Sequence, residues 1–108
     1  MRIGRFVRMR ASEGRADEVV DLMLRVAAGL ESVAGCELYV VHRSATDADL
    51  IWVTESWASQ EALEGSVNAV PAEGADAVRP ADVLALLTGP PEVIAVTPIA
   101  GVGLPPAG

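Results

Sequence analysis

At 108 residues with 51% hydrophobic side chains, the chain has the length of one domain and enough apolar content to build a core without staples. Its net charge is −7, and its eight basic residues, all arginine, form no run. That excludes tracking along a phosphate backbone, so no nucleic-acid partner is expected, and the lone Cys36 excludes an intramolecular disulfide. No apolar run approaches the roughly 18 residues of a membrane span, and the N-terminus lacks a signal-peptide core, so a cytoplasmic protein with no membrane contact is expected.

Residues 3–10, IGRFVRMR, alternate apolar and polar and predict a strand. Acidic residues Glu13, Asp17, Glu18 and Asp21 then crowd the opening of a helix, where negative charge complements unpaired N–H groups. Val19, Leu22, Met23, Val26, Ala27 and Leu30 recur on one helical face, and Gly35 is expected to end that helix as a left-handed cap. CELYVVHR (36–43) and LIWVTESWA (50–58) read as two strands joined by the polar turn SATDAD, hence an antiparallel hairpin. Ser59 opens a helix over 59–69, and VPAEGADAVRP breaks it. Pro80 suits the first position of another helix, with Val83, Leu84 and Leu87 on its apolar side and Gly89 closing it. PEVIAVTPI (91–99) is the last strand. One domain therefore covers 1–100, followed by a Gly/Pro-rich tail, 101–108, whose final five residues are expected to be loose.

The order βαββα(α)β predicts a ferredoxin-like α+β fold, a four-stranded antiparallel sheet with helices on one face. In 50–58, Ile51, Val53, Glu55 and Trp57 share one face while Leu50, Trp52, Thr54 and Ser56 share the other, so both faces carry a tryptophan. A positive mean hydropathy points the same way, to more apolar surface than one small monomer hides. A sheet apolar on both sides with helices for one implies a homodimer through sheet faces.

With this element order, three stretches resemble the antibiotic biosynthesis monooxygenase superfamily, the dimeric α+β barrels: E-S-W-x-S-x-E-A-L (55–63), GCELYVV (35–41) and LLTGPPEV (86–93). The resemblance spans most of residues 3–100. It implies a homodimer whose sheets close a barrel, and a monooxygenase that oxidises a quinol or polyketide-like phenol with O2, with no metal, flavin or haem as cofactor. Many members place a histidine nine positions past the strand tryptophan, where this chain has Ser66, so a histidine-dependent or haem-ligating role is lost there. A non-catalytic ligand-binding dimer, or a scaffold, is the alternative.

Only four aromatics are present: Phe6, Tyr39, Trp52 and Trp57. Trp57 is the leading pocket candidate, able to stack on a planar substrate or simply to fill the core, with Phe6 as a second apolar wall. Glu55, two residues away on the same face, must be paired or hydrogen-bonded if buried. An ion pair with an arginine of the first strand is the commoner use, and a base toward a phenol the sharper one. His42, the only histidine, is the other candidate base, although a solvated histidine near a hairpin end is commonplace. Arg8, which shares parity with Phe6 and Arg10, is the candidate cation for a phenolate; pairing across strands is the commoner use. Ser66 can donate a hydrogen bond to a bound carbonyl. Tyr39 is expected to pack, Cys36 to be a small buried hydrophobe, and Arg79 to be exposed. Loop 70–78 is a candidate lid.

Overall fold

The structure, a computed structural model, describes residues 1–69 and 78–105. The elements follow the expected order: β1 (Ile3–Arg10), α1 (Ala16–Leu30), β2 (Cys36–Arg43), β3 (Leu50–Trp57), α2 (Gln60–Ala69), α3 (Pro80–Leu84) and β4 (Glu92–Val96). The strands form one sheet in the order β2-β3-β1-β4 with every pair antiparallel, the ferredoxin-like arrangement. The candidate lid lies almost wholly outside the described residues, as do the last three residues of the tail.

Register decides which side chains meet the helices. Val7 stands opposite Val53 and Val93, and Val41 opposite Val53, so the odd-numbered residues of the strands line one side, except at the start of β2. There an irregularity between Cys36 and Leu38 sets Cys36 opposite Trp57 and turns Glu37 to the other side. That side carries the core: Met9, Ile51 and Val53 pack with Val19 and Met23 of α1 and with Ala11, Ala16 and Leu87. α1 forms because its apolar residues recur every three or four positions, and Asp17 and Glu18 in its first turn offset the unpaired N–H groups. Ser59 caps α2, its Oγ accepting from Ala62 N–H at 3.1 Å.

The opposite side of the sheet holds the even-numbered residues. Phe6, Val40 and Ile94 are 42%, 38% and 47% exposed there, with Trp52 and Leu38 half-buried beside them. So many exposed apolar groups on one sheet face go beyond the scattered singles of an ordinary surface. At one end, Arg2 Nε donates to Glu37 Oε1 at 2.8 Å, and Ser56 Oγ donates to the same oxygen at 3.4 Å.

Four expectations need correction. α1 ends at Leu30 with Glu31 still in helical conformation, so Gly35 is not its cap. Gly35 instead takes φ +90° in the turn entering β2, where an added Cβ would lie 2.5 Å from Ala62 Cβ. α3 is a single turn after Pro80; Leu84 is 48% exposed, and Leu87 is buried by bridging to Ala11 rather than as part of a helix. β4 stops at Val96, two residues before Pro98, which packs over Gly4, where an added Cβ would lie 2.7 Å from its ring. The tail is tied as far as Pro105, because Arg2 donates to the carbonyls of Ile99 and Pro105.

Candidate active site

β3 is an interior strand, flanked by β2 and β1, so its helix-facing residues are deeply enclosed. Trp57 is 1% exposed and Glu55 5% exposed. A carboxylate at such a position is costly unless it is matched. Glu55 Oε1 accepts from Trp57 Nε1 at 2.8 Å, from Arg5 Nη2 at 2.9 Å and from Arg5 Nε at 3.2 Å. Arg5 is Glu55's register partner on β1, as Tyr39 is on β2, so Tyr39, Glu55 and Arg5 form a row across the sheet under the helices. Cys36 and Ile3 flank Trp57 in the next row.

The ion pair is asymmetric. Glu55's side chain is 3% exposed and Arg5's is 37% exposed, so the guanidinium is the end that meets the outside. Beside it on the same side of the sheet, β4 offers Ala95 and Val93, both exposed, and β1 offers the half-buried Val7. Burial, with the nearby Glu55 charge adding to it, pushes the Tyr39 phenol above the ordinary tyrosine range despite the opposing Arg5 charge. The same two causes, in the same order, push the Cys36 thiol up. Both groups are therefore protonated at neutral pH. Between α1 and the outer edge of β2 lies an open groove of about 340 Å³, with Ala27, Ala28, Leu30 and Glu31 on one wall and Cys36, Glu37, Leu38 and Tyr39 on the other.

The sequence-predicted residues divide between two faces. Trp57, Glu55 and Ser66 lie on the helix side. Ser66 is 9% exposed, and its hydroxyl donates to Leu63 O at 2.6 Å, which uses its only proton within its own helix. Phe6, Arg8 and His42 lie on the open face, away from Glu55 and Trp57. There His42 Nε2 is 3.0 Å from Thr54 Oγ1. Arg8 sits 5.9 Å from the centre of the Trp52 ring and pairs with Glu92 at 3.3 Å. Arg10 pairs with Asp47, Tyr39 packs against the core, and Arg79 is exposed. Cys36 is half-buried in the groove wall rather than in the core.

Arg5 is the residue that sequence reasoning did not single out. The signal was parity: of the arginines in β1, only Arg5 is odd-numbered like Val7 and Met9, and thus able to face Glu55 once Ile3 is set opposite Trp57. Among the described residues, no group of three His, Cys, Asp or Glu side chains converges as a metal site would require.

Solved structures share this architecture. A monooxygenase-type protein of Chloroflexus aurantiacus superposes with a TM-score of 0.75 at 27% identity, over 97% of this chain and 100% of that one. Rv0793 of Mycobacterium tuberculosis gives 0.75 at 18% identity, over 94% of this chain and 99% of that one. A variant of SnoaB, a cofactor-independent oxygenase of Streptomyces nogalater, gives 0.71 at 15% identity, over 94% and 96%; these last two likenesses carry the fold alone. No curated protein matches the chain in sequence. The family model for antibiotic biosynthesis monooxygenases, however, matches residues 2–77, which takes in β1 through α2 and with them Arg5, Glu55 and Trp57. The chain belongs to the antibiotic biosynthesis monooxygenase family.

Proposed function

We propose that the protein is a cofactor-independent monooxygenase that oxidises an electron-rich aromatic, a quinol or polyketide-like phenol, with O2. The observation that carries this reading is the unit of Trp57, Glu55 and Arg5: an aromatic ring and a cation held together on the helix side of the sheet by one carboxylate oxygen. The similarity to SnoaB and the family match support it. In such a reaction the substrate releases a proton and its anion passes one electron to O2. The two radicals join as a peroxide, and loss of water leaves a carbonyl. One oxygen atom ends in the product and the other in water, whose two hydrogens are the proton the substrate released and the hydrogen of the oxidised carbon. The protein's share is to hold the ring, exclude water and stabilise the anion.

The active molecule in this proposal is a homodimer, joined through the open faces that carry Phe6, Val40, Trp52 and Ile94. Arg8 and His42 then line the contact between copies rather than the helix side that holds Trp57. A second reading, a ligand-binding dimer without turnover, is favoured by one observation: Ser66 stands where many members have histidine, and its hydroxyl is committed to Leu63 O. Turnover under isotopically labelled O2, with mass analysis of the product, separates the two. One labelled oxygen atom in the product supports the oxygenase, and binding with unchanged substrate supports the binder.

A further inference from the structure

The proposed reaction starts from an anion, and the residues beside Trp57 bear on where the proton goes. Glu55 is the nearest carboxylate, but its side chain is 3% exposed beneath Arg5 and its Oε1 already receives three N–H donors. From β2, Tyr39 and Cys36 face the same row as protonated groups. From α2, Ser66 spends its proton on Leu63 O. The buried face of α1 presents Ala16, Val19, Met23 and Leu30, and β4 presents Val93 and Ala95, none of which titrates. Among the described residues, then, the side chain within reach of a ligand is a cation, and no base stands beside it. We propose that this site takes its aromatic ligand already ionised, as the oxyanion of a phenol or enol acidified by a neighbouring electron-withdrawing group. Arg5 receives the oxygen, and Glu55 is the positioning residue that holds Arg5 and Trp57 in place.

The inference rests on the function proposed above and narrows its substrate class. A hydrogen bond from a guanidinium to an oxyanion is roughly twice as strong as a neutral one. Anchoring Arg5 through Nε and Nη2 fixes its plane, so less freedom is lost when the remaining N–H groups meet a ligand. Val7, Val93 and Ala95 form an apolar shelf beside the cation, which suits a flat ring carrying one charged oxygen.

The test compares 4-nitrophenol, whose oxyanion absorbs visible light, with 4-nitroanisole, the same ring without an ionisable oxygen. Binding is followed by quenching of Trp57 in a Trp52→Phe background, which leaves one tryptophan. Tighter binding of nitrophenol than of nitroanisole, on the order of tenfold or more, with its bound ionisation midpoint below that in free solution, is the expected result. Arg5→Met combined with Glu55→Gln, which leaves no lone buried charge, should erase both effects. Glu55→Gln alone should leave the bound compound ionised. The inference is overturned if nitrophenol binds neutral, if the double variant keeps the preference, or if Glu55→Gln alone abolishes ionisation, since Glu55 would then be the base. Equal binding of both compounds overturns it while leaving the ligand site standing, whereas no quenching by either removes the site itself.

Discussion

Replacing Arg5 by methionine strips the buried Glu55 of its counter-charge and leaves the Trp57 indole N–H as its remaining side-chain donor. Breaking a fully buried ion pair from one side costs about 3–5 kcal/mol, and an exposed pair is worth about 0.2–1. This pair lies between, with one partner 3% and the other 37% exposed, so the expected loss is about 2 kcal/mol. In a domain of this size that lowers the thermal midpoint by roughly 8–16 °C. The same substitution in a Glu55→Gln background should cost about 0.5 kcal/mol, because the neutral amide leaves no orphaned charge. The difference, about 1.5 kcal/mol, is the coupling of the two residues, and it exceeds the few tenths by which independent sites depart from additivity. Urea unfolding of the four proteins, followed by tryptophan fluorescence at one fixed protein concentration, measures it. Equal cost of Arg5→Met in both backgrounds would refute the reasoning and reduce the pair to a surface contact.

Three other outcomes are expected. Tyr39 is the only tyrosine, so ultraviolet titration reads it directly: tyrosinate should appear near pH 10 in urea but only at higher pH in the folded protein. Because the folded value is the raised one, this group's contribution to stability is fully present below about pH 10 and is lost as the pH rises through the folded value; a native titration that coincides with the unfolded one contradicts it. Gly35→Ala forces a side chain onto a left-handed backbone and against Ala62, and should destabilise by at least about 1–2 kcal/mol in denaturant unfolding, whereas Gly29→Ala, with open space around its Cβ, should cost nothing. Phe6→Asp, on the exposed apolar face, should change the fold's stability little but reduce the sedimenting mass from two copies to one; an unchanged mass would place any dimer contact elsewhere.

Much of the fold was legible because period-two and helical patterns are local. β1 and β2 begin and end where alternation does, and the stripe on α1 marks its buried face. What failed depended on partners distant in sequence. Gly35 looks like a helix cap from its neighbours, but its need for a bare Cα comes from Ala62 on another helix. Leu87 fits a helical face by spacing, yet the backbone bonds of Ser12 and Thr88 draw it into a bridge across the first strand. The site was half legible for the same reason. Parity alone joined Glu55 to Trp57, and the demand for a counter-charge pointed to the first strand. Only the registers of β1 and β2 against β3 singled out Arg5 and set Arg8, His42 and Phe6 on the opposite face.

The most direct test of the oxygenase reading is oxygen uptake by purified, metal-free protein offered hydroquinones, naphthols and anthrones, with Trp57→Phe in parallel. The account predicts uptake above the uncatalysed rate for at least one acidic member of that set, reduced by the substitution. Uptake at the uncatalysed rate throughout, despite quenching of Trp57 by the same compounds, would contradict it and leave a binding protein on an oxygenase fold.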